Sequence, residues 1–243
     1  MDTSAQFPVS SPQRTASSGV PRERRRTLVD VAYDELHEQI VSGELGPERT
    51  IRYRDAEALL AMSAIPIREA LGRLEREGLV DIVPHHGARV AAVSLDDLGD
   101  TYVVRKTLEG LAVRRAANAL STSDVARLEQ RLSVYAQAES MQASARELSK
   151  AHADFHFALY QTAGSAWLMR LIAPLWANSE RYRRLSLGAR GGPPNRLQEH
   201  RYLLDLCRSH DVDGATTEIE AHLQRTRDLI EQGKGGWTAG SNE

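Results

Sequence analysis

The sequence predicts a mostly α-helical protein in two parts, and three observations predict this fold class. Apolar residues recur at helical spacing over most of the chain, which indicates helices. Two short β-prone runs, "LVDIV" and "ARVAAV", stand together, and three short helical segments precede them. We therefore expect an N-terminal winged helix-turn-helix, made of three helices plus a β-hairpin wing, followed by an all-α helical bundle.

The composition limits the classes of protein that the chain could belong to. The 243 residues suit one large domain or two small ones. A net charge of −2 is unlike that of a general polyanion binder, so any contact with DNA must come from a local patch. The single cysteine, Cys207, excludes an internal disulfide and fits a reducing cytoplasm. No apolar run approaches the roughly 18 residues of a membrane span.

Both ends of the chain differ in composition from the rest. Residues 1–26 are rich in Ser, Pro, Thr and Arg and end in "PRERRR", which predicts a disordered basic arm. This arm either has no role or contacts phosphates and adds salt-dependent affinity. Residues 234–243 are Gly-rich and predict a flexible tail.

The winged helix-turn-helix is expected over residues 27–93. Its first helix begins near Thr27 and ends near Gly43, and a second follows at about Tyr53 to Leu60. The third begins after "MSAIP" and ends at Gly78. The residues "PHHG" between the two β-prone runs form the tip of the wing.

The all-helical part is expected over residues 94–233. Six segments carry helical spacing, at about 95–120, 123–141, 145–163, 166–188, 195–209 and 212–232. Ser123 and Asp213 are residue types that start helices, so we place two helix N-termini there.

The third helix is a candidate for reading DNA. With its apolar stripe packed inward, the opposite face carries Arg68, Arg73 and Arg76. Arg68 lies near the N-terminal end, where recognition helices touch base edges, and arginine can bind guanine bidentately. Arg73 and Arg76 lie further along, where phosphates are the more plausible partners. Alternatively, this charge is a solvated face with local ion pairs.

The wing offers further candidates for contacts with the DNA backbone. Arg89 lies in the second β-prone run, and His86 and Gly87 belong to the wing tip. All three would meet the backbone that flanks the bases read by the third helix.

The segment "SAIPIREALGRLEREGLVDIVPHHGARV" resembles the winged helix of GntR-type bacterial transcription regulators. The positions that match the family's pattern are Ser63, Pro66, Arg68, Glu69, Ala70, Leu71, Leu74, Glu75, Gly78, Leu79, Val80, Gly87 and Val90. The resemblance implies that the segment binds DNA, with Ser63 and the residue after it facing the duplex.

Two positions depart from the family's pattern. The family commonly has Arg and Thr facing DNA where this chain has Ala64 and Ile65. The loss of an arginine that reads guanine would cost about 1–3 kcal/mol of discrimination. We therefore expect an unusual operator or weaker specificity, with Arg52 and Arg54 supplying compensating contacts to the DNA backbone.

Four histidines indicate a candidate metal site. His152 and His156 are four residues apart, so they lie on one face of a helix at a chelating distance. His200 and His222 lie in the apolar stripes of two other helices. The alternative is that all four are core histidines with satisfied hydrogen bonds. A cluster from three helices could bind a divalent metal.

The helical part resembles the FCD ligand-binding domain of the FadR-like branch of these regulators, on the segments "VRKTLEGLAVRRAA", "HADFHFALYQTAG", "EHRYLLDLCRSHD" and "AHLQRTRDLI". Many members bind a divalent metal through an Asp-x-x-x-His pair and two later histidines. These map to His156, His200 and His222, and His152 stands in place of the aspartate. Nitrogen-only ligation favours zinc or nickel, with an open position for water or an effector carboxylate.

Arg105 matches an arginine that the family often directs into the same cavity. A guanidinium fork suits a carboxylate, so the resemblance implies a role in binding an effector. The alternative is a surface ion pair with Glu109, four residues further along the helix.

Together these features predict a ligand-responsive transcription regulator. We expect a homodimer on a palindromic DNA operator, and a repressor that a small organic acid releases. One alternative is a metal-dependent, hydrolase-like enzyme, although no general base such as the Glu of an H-E-x-x-H helix accompanies the histidines. The other alternative is a regulator whose operator specificity has degraded.

Overall fold

The computed structural model of the protein describes residues 26–187 and 195–234. The predicted basic arm, apart from Arg26, and the tail beyond residue 234 lie outside the described residues. The structure confirms the fold class. In the described residues, three helices and a small three-stranded antiparallel sheet form the N-terminal part, and the regular elements after the sheet are all helices.

The N-terminal part combines three helices with the sheet. The helices are α1 (Leu28–Ser42), α2 (Tyr53–Leu60) and α3 (Ala64–Arg76), and the strands are β1 (Thr50–Arg52), β2 (Val80–Val83) and β3 (Gly87–Val90). The strand order is β1-β3-β2, with Thr50 opposite Arg89 and Val80 opposite Val90. Strand β1 was not predicted, because three residues with one buried side chain carry almost no alternating pattern.

The apolar stripes of α1 and α3 form the core of this part. Leu36 of α1 and Ile67, Leu71 and Leu74 of α3 are fully buried, together with Val80 and other residues of the sheet. Burial of one such side chain stabilises the fold by about 1.5–3 kcal/mol. The packing directs the opposite, polar face of α3 to the surface.

Gly87, at the start of β3, packs so closely on β1 that a side chain would not fit there. Its φ is +133°, and a Cβ there would lie 2.0 Å from the Ile51 carbonyl oxygen. We expect Gly87→Ala to lower the free energy of unfolding by about 1–3 kcal/mol in denaturant titrations. Gly72→Ala is the matched control, because no described atom beyond its own helix backbone lies within 4 Å of where its methyl group would be. Equal stability of the two variants would contradict the expectation.

The second part is a bundle of six helices, each close to a predicted segment. They are α4 (Leu95–Ala119), α5 (Thr122–Ser140), α6 (Ala145–Gln161), α7 (Ala166–Leu187), α8 (Arg196–Arg208) and α9 (Val212–Gln232). The two predicted helix starts were each placed two residues late. Ser121 caps α5 through a reciprocal capping box with Asp124, and Asp211 caps α9 by accepting from Gly214 N.

Helix α7 connects the bundle to the winged helix. Arg181 is almost fully buried and donates to the carbonyls of Ala91 (2.8 Å) and Ala92 (3.2 Å), which follow strand β3. Arg184 forms an ion pair with Glu38 of α1 at 2.7 Å. The winged helix is therefore held against the bundle by specific polar contacts. None of the described helices is both long and apolar enough to cross a membrane.

Candidate functional site

The four histidines of the predicted metal site converge inside the bundle. Helix α6 supplies His152 and His156, α8 supplies His200, and α9 supplies His222. All four are buried, and one nitrogen from each lies within 4.8 Å of the others. His200 Nε2 is 2.7 Å from His156 Nε2 and 3.1 Å from His152 Nε2.

The second ring nitrogen of three histidines is engaged by a neighbouring group. His200 Nδ1 lies 2.5 Å from the Arg196 carbonyl, and His222 Nδ1 lies 2.7 Å from a Glu199 carboxylate oxygen. Both oxygens only accept hydrogen bonds, so both Nδ1 atoms carry the proton. Burial, followed by His222, lowers the pKa of His200 to about 3, so the His200 ring is neutral and presents an unprotonated Nε2 to the cluster.

His156 also carries its proton on Nδ1, and in this case the acceptor is the Tyr160 hydroxyl. The Tyr160 hydroxyl donates to Glu109 at 2.6 Å, so its oxygen accepts the proton of His156 Nδ1 at 3.0 Å. Burial, followed by the charge of Glu109, raises the pKa of Tyr160 well above 10, which keeps this donor protonated. His156 Nε2 therefore carries no proton and offers its lone pair to the cluster.

The donor set fits a divalent metal. With both Nδ1 atoms protonated, His156 and His200 face each other across 2.7 Å with two lone pairs and no proton between them. Such an approach is repulsive unless a cation lies among the nitrogens. Histidines whose outer nitrogen donates to a carbonyl or carboxylate are the usual arrangement around a bound metal.

The electrostatics of the cluster also favour neutral rings. Burial, followed by the neighbouring histidines, lowers the pKa of His152 and His156 well below 6.5. Burial and then His222 lower the pKa of His200 to about 3. Neutral imidazole is the form that binds a metal, so no proton has to leave these three rings at neutral pH.

His152 differs from the other three histidines. Its Nδ1 is buried without a hydrogen-bond partner among the described residues, and its ring packs 5.4 Å from that of Tyr135. The nearby Asp154 does not take its place, because its carboxylate accepts from Lys150 at 2.6 Å outside the cluster. The substitution of His for Asp thus supplies a fourth imidazole.

Arg105 lies beside the histidines. It does form the ion pair with Glu109 that the alternative reading predicted, but the prediction that this pair lies on the surface is wrong. The pair is buried: Arg105 is 4% exposed and Glu109 is 0% exposed, with Nε and Oε1 2.6 Å apart. Arg105 also donates to Ser179 at 2.7 Å. Sequence reasoning missed the chain from His156 through Tyr160 and Glu109 to Arg105, because Tyr160 and Glu109 look like ordinary residues of helical stripes.

Next to the cluster is a cavity of about 20 Å³, the space of roughly one water molecule. Arg105, Trp176, His152 and His222 are among the residues that line it. The arrangement can therefore hold a metal ion with one small additional ligand, such as a water molecule or a carboxylate oxygen.

A second candidate site is the polar face of α3 with the wing. The side chains of Arg52, Arg54, Arg68, His86 and Arg89 are exposed on this part of the molecule. Arg68 lies with its guanidinium carbon 4.9 Å from the centre of the Tyr53 ring, which restricts the side chain. These residues could approach a polyanion without rearrangement of the fold.

The remaining predicted DNA contacts have different environments. Ser63 is the N-terminal cap residue of α3, but its hydroxyl accepts no helix amide. Ala64 is half-buried, and Gly87 is buried at the base of the wing. Arg73 forms an ion pair with Asp30 at 3.0 Å and stacks 4.1 Å from the centre of the Tyr33 ring. Its guanidinium therefore faces α1, which leaves it less free for a phosphate than we expected.

Comparison with known proteins agrees with this architecture. The family model of the FCD domain matches residues 100–225, and that of the bacterial regulatory proteins of the gntR family matches residues 28–90. The HTH-type transcriptional regulator BphR of Paraburkholderia xenovorans is 28% identical over 222 residues, which cover 89% of this chain and 90% of BphR.

Two Escherichia coli proteins extend the comparison. The HTH-type transcriptional repressor RspR is 26% identical, over 82% of this chain and 87% of its own. The structure of McbR/YncC has a TM-score of 0.74 at 23% identity and covers 85% of this chain and 98% of its own, which shows a shared fold. BphR and RspR are HTH-type transcription regulators by name, so the alternative of an enzyme is wrong. The chain belongs to the GntR family of DNA-binding transcription regulators, in the branch that carries an FCD domain.

Proposed function

We propose that this regulator binds a divalent metal, zinc or nickel, through His152, His156, His200 and His222, and that a small carboxylate effector completes the site. The observation that carries the proposal is that the Nε2 lone pairs of His156 and His200 face each other at 2.7 Å. The outer nitrogens of His156, His200 and His222 meanwhile donate to other groups. Four neutral nitrogens favour zinc or nickel over magnesium, calcium or manganese.

The charge of the site supports a carboxylate as the effector. Four neutral imidazoles leave the full +2 charge on a divalent ion, whereas an aspartate in place of His152 would reduce it to +1. The adjacent cavity admits a small group, and Arg105 lies on its wall. Since Glu109 neutralises Arg105, the metal supplies most of the attraction for the anion.

We further propose that the protein is a homodimer on a palindromic operator. Helices α4 and α7 pack side by side, as the 3.0 Å hydrogen bond from Asn178 Nδ2 to Thr101 Oγ1 shows. The two helices expose large apolar side chains, namely Val103, Val104, Leu111, Trp167 and Leu171. Apolar side chains exposed together on two packed helices are typical of an interface with another chain, and a two-fold dimer would place two winged helices on two half-sites.

The regulator is proposed to be a repressor that its effector releases. Two similar proteins of Escherichia coli, RspR and GlaR, are transcriptional repressors by name, which supports this direction of control. The effector acts by binding one arrangement of winged helix and bundle more tightly than another.

Fluorescence anisotropy with DNA from the gene's own upstream region tests this function. The zinc-loaded protein is expected to bind this DNA in preference to scrambled DNA at physiological salt. A series of small mono- and dicarboxylates is then titrated against the complex, and at least one is expected to release the DNA. Equal binding to both DNAs that salt removes would support the alternative of degraded specificity.

Substitutions of the exposed arginines can distinguish residues that read bases from residues that contact the DNA backbone. We expect Arg68→Ala to reduce the preference for the operator by about 1–3 kcal/mol, because its position suits a base edge. Arg52→Ala with Arg54→Ala is expected to weaken binding to all DNA and to reduce the salt slope by about 2. An unchanged affinity and salt slope in the double variant would remove these two residues from the interface.

A further inference from the structure

A second, larger cleft lies between the winged helix and the bundle. Its volume is about 600 Å³, within the range of small-molecule pockets, roughly 300–1,000 Å³. Helix α1 forms one wall, and helices α6 and α7 form the other. Neither the four clustered histidines nor the predicted DNA contacts between residues 52 and 89 line it, so the functions proposed above leave the cleft unused.

The interior of the cleft is apolar and partly aromatic. Val41 lines it from α1, Ala153 from α6, and Ala173 and Ala177 from α7, with the half-buried indole of Trp176 between them. Small side chains beside an indole leave a flat apolar surface. Such a surface suits an aromatic ring, which gains both burial and stacking.

The rim of the cleft carries cations that are available to an anion. Its three carboxylates are already engaged in ion pairs. Asp34 pairs with Arg26, Glu38 with Arg184 at 2.7 Å, and Glu180 with Arg183 at 2.5 Å. Arg146, by contrast, has carboxylates only at 3.8 and 3.9 Å among the described residues, beyond hydrogen-bonding distance.

Lys150 lies one turn after Arg146 on α6 and is 72% exposed, with a surface ion pair to Asp154. Such surface pairs are weak and are readily exchanged for another anion. Arg146 and Lys150 thus present two positive charges on the same side of one helix.

We propose that this cleft binds a small aromatic carboxylate, with its ring against Trp176 and Ala173 and its carboxylate between Arg146 and Lys150. The site is separate from the metal site, and its occupation does not require a metal. The ligand would touch α1 of the winged helix and α6 and α7 of the bundle at once. Its binding therefore stabilises the present placement of the two parts.

Trp176 also links the cleft to the histidines. The indole forms part of the walls of both cavities, and its ring lies 5.4 Å from that of His152 and 5.1 Å from that of His156. A ring bound in the cleft would restrict Trp176, so occupation of one site would affect the affinity of the other.

The test uses 2-naphthoate as the probe and isothermal titration calorimetry of the full chain, both zinc-loaded and metal-free. We expect about one probe per chain in both forms, and no measurable binding of the neutral analogue 2-naphthylmethanol. Arg146→Gln with Lys150→Gln is expected to weaken binding at least about tenfold, the effect of losing one charge-assisted hydrogen bond. Arg131→Gln, an exposed cation on α5, is the matched control and should bind normally.

Filling the cleft gives an independent result. Ala173 is exposed on α7, so Ala173→Phe should fold normally and place a ring where the probe would lie. We expect it to abolish probe binding and to keep its zinc content, while Ala119→Phe on the exposed side of α4 changes neither. Normal binding by Ala173→Phe would place the probe outside the cleft, and binding that occurs only with zinc would place it at the histidines. Either result would overturn the proposal. Failure of the chain to take up zinc would contradict the metal site alone.

Discussion

Protein purified without a histidine tag and dialysed against zinc is expected to retain about one zinc ion per chain, and His156→Gln is expected to retain almost none. His156 Nε2 is 2.7 Å from His200 Nε2, so its loss removes a ligand from the centre of the cluster. Elemental analysis gives the stoichiometry. Zinc at 100 times its dissociation constant should also stabilise the wild type by about 2.7 kcal/mol, measured as a shift in thermal unfolding.

Two further variants define which interactions hold the metal. His210→Gln is the control, because His210 bonds to the Ala117 carbonyl at 2.7 Å outside the cluster, and it should bind zinc normally. Tyr160→Phe removes the acceptor that keeps the Nδ1 proton on His156, so zinc should bind about 10–100-fold more weakly. Sub-stoichiometric metal in the wild type, with no uptake on dialysis, would refute the metal site.

Glu109→Ala is expected to destabilise the bundle by about 3–5 kcal/mol, measured by urea denaturation of the metal-free protein. The substitution leaves the buried guanidinium of Arg105 without its counter-ion and the Tyr160 hydroxyl without its acceptor. A buried charge that loses its partner costs far more than the pair contributes, because water cannot replace the missing carboxylate.

Asp213→Ala is the matched control for Glu109→Ala. Asp213 also pairs with an arginine, Arg114 at 3.0 Å, but its side chain is 87% exposed. Its removal should change the unfolding free energy by less than about 1 kcal/mol. Replacing both Glu109 and Arg105 with methionine should recover much of the lost stability. Similar midpoints for Glu109→Ala and Asp213→Ala would contradict the role assigned to the buried pair.

The helices were predictable from the sequence because their apolar spacing is repeated over several turns. The ends were less predictable, as the N-terminal caps Ser121 and Asp211 show. Each is followed two residues later by another good capping residue, so local residue preference cannot choose between them. The reciprocal capping box of Ser121 with Asp124 and the bond from Gly214 N to Asp211 decide the choice in the fold.

The ligands of the candidate metal site were also predictable, but the groups around them were not. The spacing of His152 and His156 and the two later histidines sufficed to name the cluster. The roles of Tyr160 and Glu109 depend on contacts across helices, between residues that are 51 positions apart in the chain. Arg73 illustrates the same limit, since its contact with Asp30 depends on the packing of α3 against α1.

The contacts of Arg181 restrict how the two parts of the molecule can move. Its guanidinium donates to two carbonyls that follow the wing and to Asn178 at 2.9 Å, all in a nearly water-free position. A small rotation of the winged helix would lengthen these bonds without giving water access to replace them. The molecule is therefore expected to change between separate arrangements, each with its own partners for Arg181, and not to bend gradually at the segment that joins wing and bundle.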